Sequence, residues 1–409
     1  METTHPICCG LDVHQASIAA CLRRVEADGK VRLSRREFGT TVRELKMLVQ
    51  WLSDEDCPIC VMESTGVYWK PVYNVLAVHL EVLIANAYEV RQRRGKKTDR
   101  ADAQWLSELL AHDLIRPSFI PPPEIAALRD LMRMRTTLVE TRTQAKNRVL
   151  AVLETTNVKL ATLLSDPFGV SGRLMMAALL EGNKSPQEMA QLAKGVLRRK
   201  IPQLEIALEG SFTAHHGLLI RINLETVDLM NLHIAEVEKQ VAQAVEPVRP
   251  LLDLLVTIPG VDETTARTII AEIGTDMSRF VTPGRLASWA GMCPGNNESA
   301  GKRKSGKTTR GNKYLRRVLA QCAWASRKTS THVGRTFTRL QARIGGKKAA
   351  VAVGHKVLRI VFHLLDQGTP YDDGRYDRIH PQEEKKRRRR AVAALKRLGY
   401  EVTLEKAAC

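Results

Sequence analysis

The stretch "ICCGLDVHQASIAACLRR", residues 7–24, is apolar along most of its length and reads as a β-strand. It carries a single acid, Asp12, in "GLDVH". A carboxylate midway along an apolar strand is costly unless it is paired or bound to a cation. The segments that follow decide what Asp12 belongs to. "VRLSRREF", 31–38, reads as a hairpin partner, and apolar residues at helical spacing predict a helix from about Thr41 to Leu52. "ICVMEST", 59–65, is a short strand of buried type that ends on Glu63. A helix over 67–78 and a strand "EVLIANA", 81–87, come next. Strands first antiparallel and then alternating with helices predict an α/β domain with a mixed sheet. Tyr68 and Trp69, just after Glu63, read either as a stacking surface for a base or as packing of the following helix on the sheet.

Outward from there, "RQRRGKKTDRADAQWL", 91–106, packs six basic residues into positions 91–100. It then sets Asp99 and Asp102 three apart at a predicted helix start, so both project from one face. The bland reading is a solvated helix start with Asp99 or Thr98 as its N-cap. The sharper reading joins the pair to Asp12 and Glu63. Hard divalent cations take carboxylate oxygens, and two such ions can clamp the oxygens of a phosphodiester displacement. The cations Arg91, Arg93, Arg94, Lys96 and Lys97 would attract the backbone whose phosphate is engaged. An acid on strand one, an acid on a later strand and an acid pair on a helix is the arrangement of RNase H-like nucleases.

The proline-rich "RPSFIPPPEI", 116–125, marks a domain edge. After it, 125–157 runs 33 residues without glycine or proline, with apolar residues at spacings of three and four. That predicts a long amphipathic helix of coiled-coil type, and a second covers about 216–246. The two fit an antiparallel hairpin, which would either pair protomers or form an internal bundle. His215 and His216 are adjacent on the second helix, face different ways and read as surface residues. "LLVTIPGVDETTARTIIAEIG", 254–274, is a helix–hairpin–helix-like unit whose turn can offer N–H groups to a phosphate. The loop "CPGNNESAGKRKSGKTTRGNKYLRR" holds Ser299 and Ser305 among eight lysines and arginines between 302 and 317. Lys302, Arg303, Lys304, Lys307, Arg310 and Lys313 read as a DNA-gripping set, and no ATP-binding P-loop is expected here.

The balance of 63 basic against 44 acidic residues gives +19 and implies a polyanionic partner, nucleic acid first. No apolar run approaches the ~20 residues needed to cross a bilayer. The N-terminus lacks the basic-then-apolar order of a signal peptide, so a cytoplasmic protein with no membrane partner is expected. Eight cysteines in 409 residues form no disulfide framework, and Cys57 and Cys60 of "CPIC" read as reduced thiols at a strand edge.

"GLDVH", "VMESTGVYW" and "KTDRADA" resemble the DEDD domain of IS110-type (including IS1111-like) insertion-sequence transposases. The segment "IPGVDETTARTIIAEIG…FVTPGRLASWAGMCPGNNESAGKRKSGKTTRGNKYLRRVL" is similar to that family's second domain. The resemblance implies α/β plus all-α architecture. It places an RNase H-like (RuvC-like) domain at 5–115; the chain's own pattern adds a helical coiled-coil or dimerisation region at 124–248, a mostly helical transposase domain with the serine loop at 250–370 and a basic tail at 371–409. It implies Mg²⁺ (or Mn²⁺) on Asp12, Glu63, Asp99 and Asp102, and a serine nucleophile matched by Ser299 in "ESAGK". Ser305, in "KSGK", fits the same short pattern. It further implies cutting and rejoining of DNA at element ends and target, a guide RNA encoded by the element, and a homo-oligomer, dimeric or tetrameric on DNA. The alternatives are a junction-resolvase-like nuclease using only the four acids, and a non-catalytic nucleic-acid-binding scaffold.

Overall fold

The computed structural model of the chain describes residues 3–64, 66–85, 99–295, 297–299, 302–309, 311–377 and 381–404. Residues 1–120 and 121–409 form two compact units.

In the first unit, β1 (Ile7–Val13), β2 (Ser17–Val25) and β3 (Val31–Gly39) form an antiparallel meander. Helix α1 (Val42–Asp54), strand β4 (Ile59–Glu63), helix α2 (Trp69–Leu76), strand β5 (Glu81–Ala85) and helix α3 (Asp99–Ala111) follow. The sheet order is β3-β2-β1-β4-β5, with β4 and β5 parallel to β1. An antiparallel meander extended by parallel strands through helical crossovers is the RNase H-like topology. Alternation along the strands gives each face its own core. Leu11, Val13, Cys60 and Met62 pack with Leu48, Trp51 and Leu52 of α1 and with Val72 and Leu76 of α2. Cys8, Ile59, Val61 and Ala85 pack against Leu106, Leu109 and Leu110 of α3 on the opposite face.

Residues 7–24 are therefore two strands rather than one. The chain reverses at His14–Ala16, where the His14 N–H donates to the Ser17 carbonyl at 2.9 Å. The turn contains no glycine or proline, which is why the apolar pattern reads through it. Cys57 and Cys60 flank the start of β4 as free thiols, and both are buried because β4 runs between β1 and β5. Burial pushes the Cys57 thiol up to about 11, so these cysteines are inert packing.

The second unit opens with α4 (Pro123–Thr155), and α5 (Ala214–Val245) packs along it. Arg142 donates to Asn231 at 2.9 Å and Arg135 meets Glu238 at 2.5 Å, so rising numbers on α4 meet falling numbers on α5. The pair is antiparallel and internal to the chain. Between them in sequence, a helical module packs Leu160, Met175, Met176 and Leu204 in one core with Val149 and Leu153 of α4 and Ile220 and Leu224 of α5. His216 serves a structural end: its Nδ1 lies 2.9 Å from the Thr213 hydroxyl at the start of α5.

The rest of the unit comprises α6 (Arg249–Val256), α7 (Glu263–Ile273), α8 (Pro283–Trp289) and a two-stranded ribbon of β6 (Asn297–Ser299) and β7 (Lys302–Ser305). It continues with α9 (Lys313–Ser326), α10 (His332–Ile344), α11 (Gly346–Gln367), α12 (Asp373–Asp377) and α13 (Pro381–Arg397). Between α6 and α7, Gly260 takes φ +87° and a Cβ there would sit 2.4 Å from the Cys322 carbonyl of α9. The glycine thus seats the helix–hairpin–helix-like turn on α9. No described helix is long and apolar enough to cross a membrane.

Candidate active site

The parallel ladder pairs Gly10 with Val61 and Leu11 with Met62, so Asp12 and Glu63 stand on the next rung, on adjacent strands. Leu11 and Met62 face α1 and α2, so their neighbours Asp12 and Glu63 take the face covered by α3. Asp12 is one residue from the end of β1 rather than midway along a strand, and its side chain is 14% exposed. This placement lessens the cost of its charge without removing it.

Helix α3 reaches the same place from above. At Gly10 a Cβ would lie 2.1 Å from the Ala103 carbonyl and 2.6 Å from the Ser107 nitrogen, so the helix backbone rests on that strand position. At the far end of α3 the Ala111 carbonyl accepts from the Thr4 and His5 N–H groups, at 2.8 and 3.1 Å. Helix α3 is therefore antiparallel to β1, and its first turn, with Asp99 and Asp102, lies toward the end of β1 that bears Asp12. Asp102 is half-buried. The Asp99 side chain lies outside the described residues.

Among the described residues, no three acidic, histidine or cysteine side chains converge closely enough to hold one ion. What the backbone supplies is a set of hard oxygen donors at one end of one sheet face, the chemistry a divalent cation of the Mg²⁺ class requires. A neighbour that sequence reasoning passed over is His14, whose Nε2 lies 3.3 Å from the Asp12 Oδ2. The "DVH" spacing carried that signal, since His14 opens the turn directly after Asp12 and Val13 at the end of β1. Trp69 packs on the core of the first unit, as the packing reading expects, whereas Tyr68 stays 41% exposed. Arg91, Arg93, Arg94, Lys96 and Lys97 lie outside the described residues.

The serine loop, in the second unit, is a β-ribbon. Ser299 pairs with Lys302 next to its turn, while Ser305 pairs with Asn297 at its base. Below, the Gly295 N–H donates to the Lys307 carbonyl at 2.9 Å, and Pro294 bridges Thr308. Gly291 and Gly311 close the neck, where a Cβ on Gly311 would meet the Ala290 carbonyl carbon at 2.4 Å. Arg316 of α9 donates to the Thr308 hydroxyl at 3.0 Å. The side chains of Ser299, Lys302, Arg303, Lys304 and Ser305, and all of Arg310, lie outside the described residues; Lys307 and Lys313 are exposed. The spacing Gly301, Gly306, Lys307, Thr308 does satisfy G-x-x-x-x-G-K-T. In the fold, however, 302–305 is a ribbon strand and the next helix starts only at Lys313, so the motif does not open a helix as a P-loop does.

Sequence reasoning also missed Glu272. This acid of α7 is 1% exposed and takes two bonds from Arg133 of α4, at 2.8 and 2.7 Å. Arg129 lies 3.6 Å away and also donates to the Ala271 and Glu272 carbonyls. Asn312, which caps α9 through the Tyr314 and Leu315 N–H groups, donates to Glu272 at 2.5 Å. The cluster fixes the exit of the serine ribbon to α4. Its signal was an acid inside the apolar run "TIIAEI".

A sheet of RNase H-like order with acids at one end, joined to a helical unit carrying a serine ribbon, defines a class also visible in the comparisons. Residues 9–158 match the DEDD transposase family of IS110 elements. Residues 252–339 match the transposase family of IS116, IS110 and IS902. The chain belongs to the IS110 family of insertion-sequence transposases, with an RNase H-like (RuvC-like) first domain. It is 26% identical to the transposase of insertion sequence element IS1328 of Yersinia enterocolitica, over 79% of this chain and 88% of that one. It is 24% identical to the transposase of element IS1111A of Coxiella burnetii, over 89% and 91%. RuvC of T. thermophilus in complex with a Holliday junction substrate aligns at 12% identity and a TM-score of 0.21, over 27% of this chain and 99% of that chain.

Proposed function

We propose that this transposase cuts and rejoins DNA by phosphoryl transfer, using the carboxylates of the first unit and the serine ribbon of the second. The observation that supports it most is the shared rung of Asp12 and Glu63 on the sheet face that α3 covers, with Asp99 and Asp102 in that helix's first turn. Asp12, Glu63, Asp99 and Asp102 would hold Mg²⁺ or Mn²⁺. Such ions, when bound, polarise a phosphoryl oxygen and lower the pKa of an attacking hydroxyl.

In this reading the Ser299 Oγ attacks phosphorus, an Oγ–P bond forms, and the bond from phosphorus to the leaving sugar oxygen breaks. The serine proton leaves to solvent, and the leaving oxygen takes one up. Position next to the ribbon turn favours Ser299 over Ser305, because the base of the ribbon is closed by the neck glycines. Lys302, Arg303 and Lys307 neutralise charge that builds on the phosphate. The cations at 91–97 hold nucleic-acid backbone. An element-encoded guide RNA would choose the site, and a homo-oligomer would bring the acids of one protomer to the serine of another. Light scattering on the DNA-bound protein tests the last point, and a single-chain mass would contradict it.

A denaturing gel of the protein incubated with element-end DNA and Mg²⁺ tests the serine step. A covalent protein–DNA band is expected in wild type and in Ser305→Ala, and none in Ser299→Ala. Strand cleavage with no adduct in wild type would instead make the chain a nuclease of the junction-resolvase kind.

A further inference from the structure

Between Glu298 and Asp366 the sequence contains no acidic residue, and its 67 residues include 17 lysines and arginines. The serine ribbon accounts for only the first part of this stretch. On α9 the exposed residues Lys313, Arg317, Gln321 and Trp324, with Lys328 just beyond the helix, follow one another at spacings of four, four, three and four. That spacing keeps all five within one helical stripe. The stripe starts where the ribbon's neck ends. From Lys313 to Trp324 it rises about 16 Å, at ~1.5 Å per residue.

Trp324 is 43% exposed. Its position is fixed: the indole packs 4.9 Å from the buried Phe337 ring of α10. A Cβ on Gly346, at the start of α11, would lie 2.7 Å from the indole Cη2, so only glycine leaves the ring this seat. Exposed cations neighbour it in sequence on both turns: Arg327 and Lys328 after α9, Lys347 and Lys348 after Gly346. Arg339 and Arg343 stand one turn apart on the exposed face of α10. Among the described residues, none of these six cations enters an ion pair, whereas Arg317 meets Glu140 and Arg335 meets Asp373.

A rigid, half-exposed aromatic ring among unneutralised cations matches the two needs of an unpaired nucleotide, a flat surface for the base and positive charge for its phosphates. Duplex DNA, its bases stacked inside, would leave the indole unused. We propose that Trp324 is a stacking platform for an unpaired DNA base, at the end of a polar and basic track that runs along α9 from the serine ribbon. DNA is the occupant because the track is continuous with the ribbon, which the reading above places at the DNA strand being cut. The proposal rests on that reading for the identity of the strand.

Tryptophan emission of the full-length protein, titrated with single-stranded DNA, tests it. Wild type should be quenched, and Trp324→Phe should lose that quenching while keeping most of the affinity through its smaller ring. Trp324→Ala should bind about 5- to 150-fold more weakly, the range for removal of one stacked base. Lys347→Ala with Lys348→Ala should weaken binding in a salt-dependent way while preserving the quenching at saturation. A circular-dichroism melt confirms that each variant is folded. Quenching that survives in Trp324→Phe overturns the platform, as does equal quenching by duplex DNA. Quenching by single-stranded RNA with none by DNA overturns the assignment of the occupant. Glu63→Gln and Ser299→Ala should keep the signal, so loss of their chemistry and loss of the platform are read separately.

Discussion

Gly10 sets where α3 rests on β1. With no Cβ it lets the backbone of α3 rest on β1, and that contact levels the helix's first turn with Asp12. A methyl there would have to displace the α3 backbone, at the Ala103 carbonyl (2.1 Å) and the Ser107 nitrogen (2.6 Å), with no flexible side-chain end to yield. Gly10→Ala should therefore destabilise the first unit by about 1–3 kcal/mol or more, the cost of overpacking a fitted core. Urea denaturation checks this, and an unchanged midpoint would mean that α3 does not sit on the strand. Asp12 and Glu63 were legible in the sequence because a charge beside an apolar run stands out. The need for glycine at position 10 was not, since it comes from a helix about a hundred residues away. Nor did the residues alone separate Ser299 from Ser305; the pairing of the ribbon strands places them at opposite ends.

At the scale of elements, the helices were read closely and the turns less so. The predicted helices at 125–157 and 216–246 appear as Pro123–Thr155 and Ala214–Val245, because their apolar spacing is sustained over many turns. The first strand was read too long, because the reversal after Val13 uses His-Gln-Ala instead of a glycine or proline. Long-range electrostatics were the least legible. Glu272 reads as one acid in an apolar helix, yet it joins α7 to Arg129 and Arg133 of α4 and to the cap of α9. Removing it takes the carboxylate from two arginines, one of them 14% exposed, and breaking such a pair costs about 3–5 kcal/mol. Glu272→Ala should lower stability by that order in chemical denaturation, and Glu272→Gln by less because it keeps hydrogen bonding.

Helix α11 carries a pH dependence of its own. Burial, and then the Arg359 charge, hold His355 below the usual 6.5. Burial, followed by Arg375 and Arg359, does the same for His363. The unfolded chain thus takes up these protons at higher pH than the folded one. Their contribution is complete above about pH 6.5 and is lost as pH falls through the folded values. The urea midpoint should drop between pH 7.5 and pH 5, and His355→Gln with His363→Gln should shrink that drop. An identical drop in the double variant would contradict the assignment.

At the scale of the whole molecule, the proposed chemistry divides between two units with separate cores: hard oxygen donors in the first, a serine and a stretch rich in lysine and arginine in the second. Charge excess and motif order are what suggest that division from the sequence. The sheet register and the seat of α3 turn it into a physical claim about four carboxylates. The direct test is cleavage of element-end DNA as Mg²⁺ is raised, in wild type and in Asp102→Asn. Wild-type cleavage should saturate with Mg²⁺ and vanish with a chelator, while Asp102→Asn should be slower by about a thousandfold, roughly 4 kcal/mol of barrier. Cleavage by Asp102→Asn at the wild-type rate, or wild-type cleavage that persists in chelator, would contradict the account.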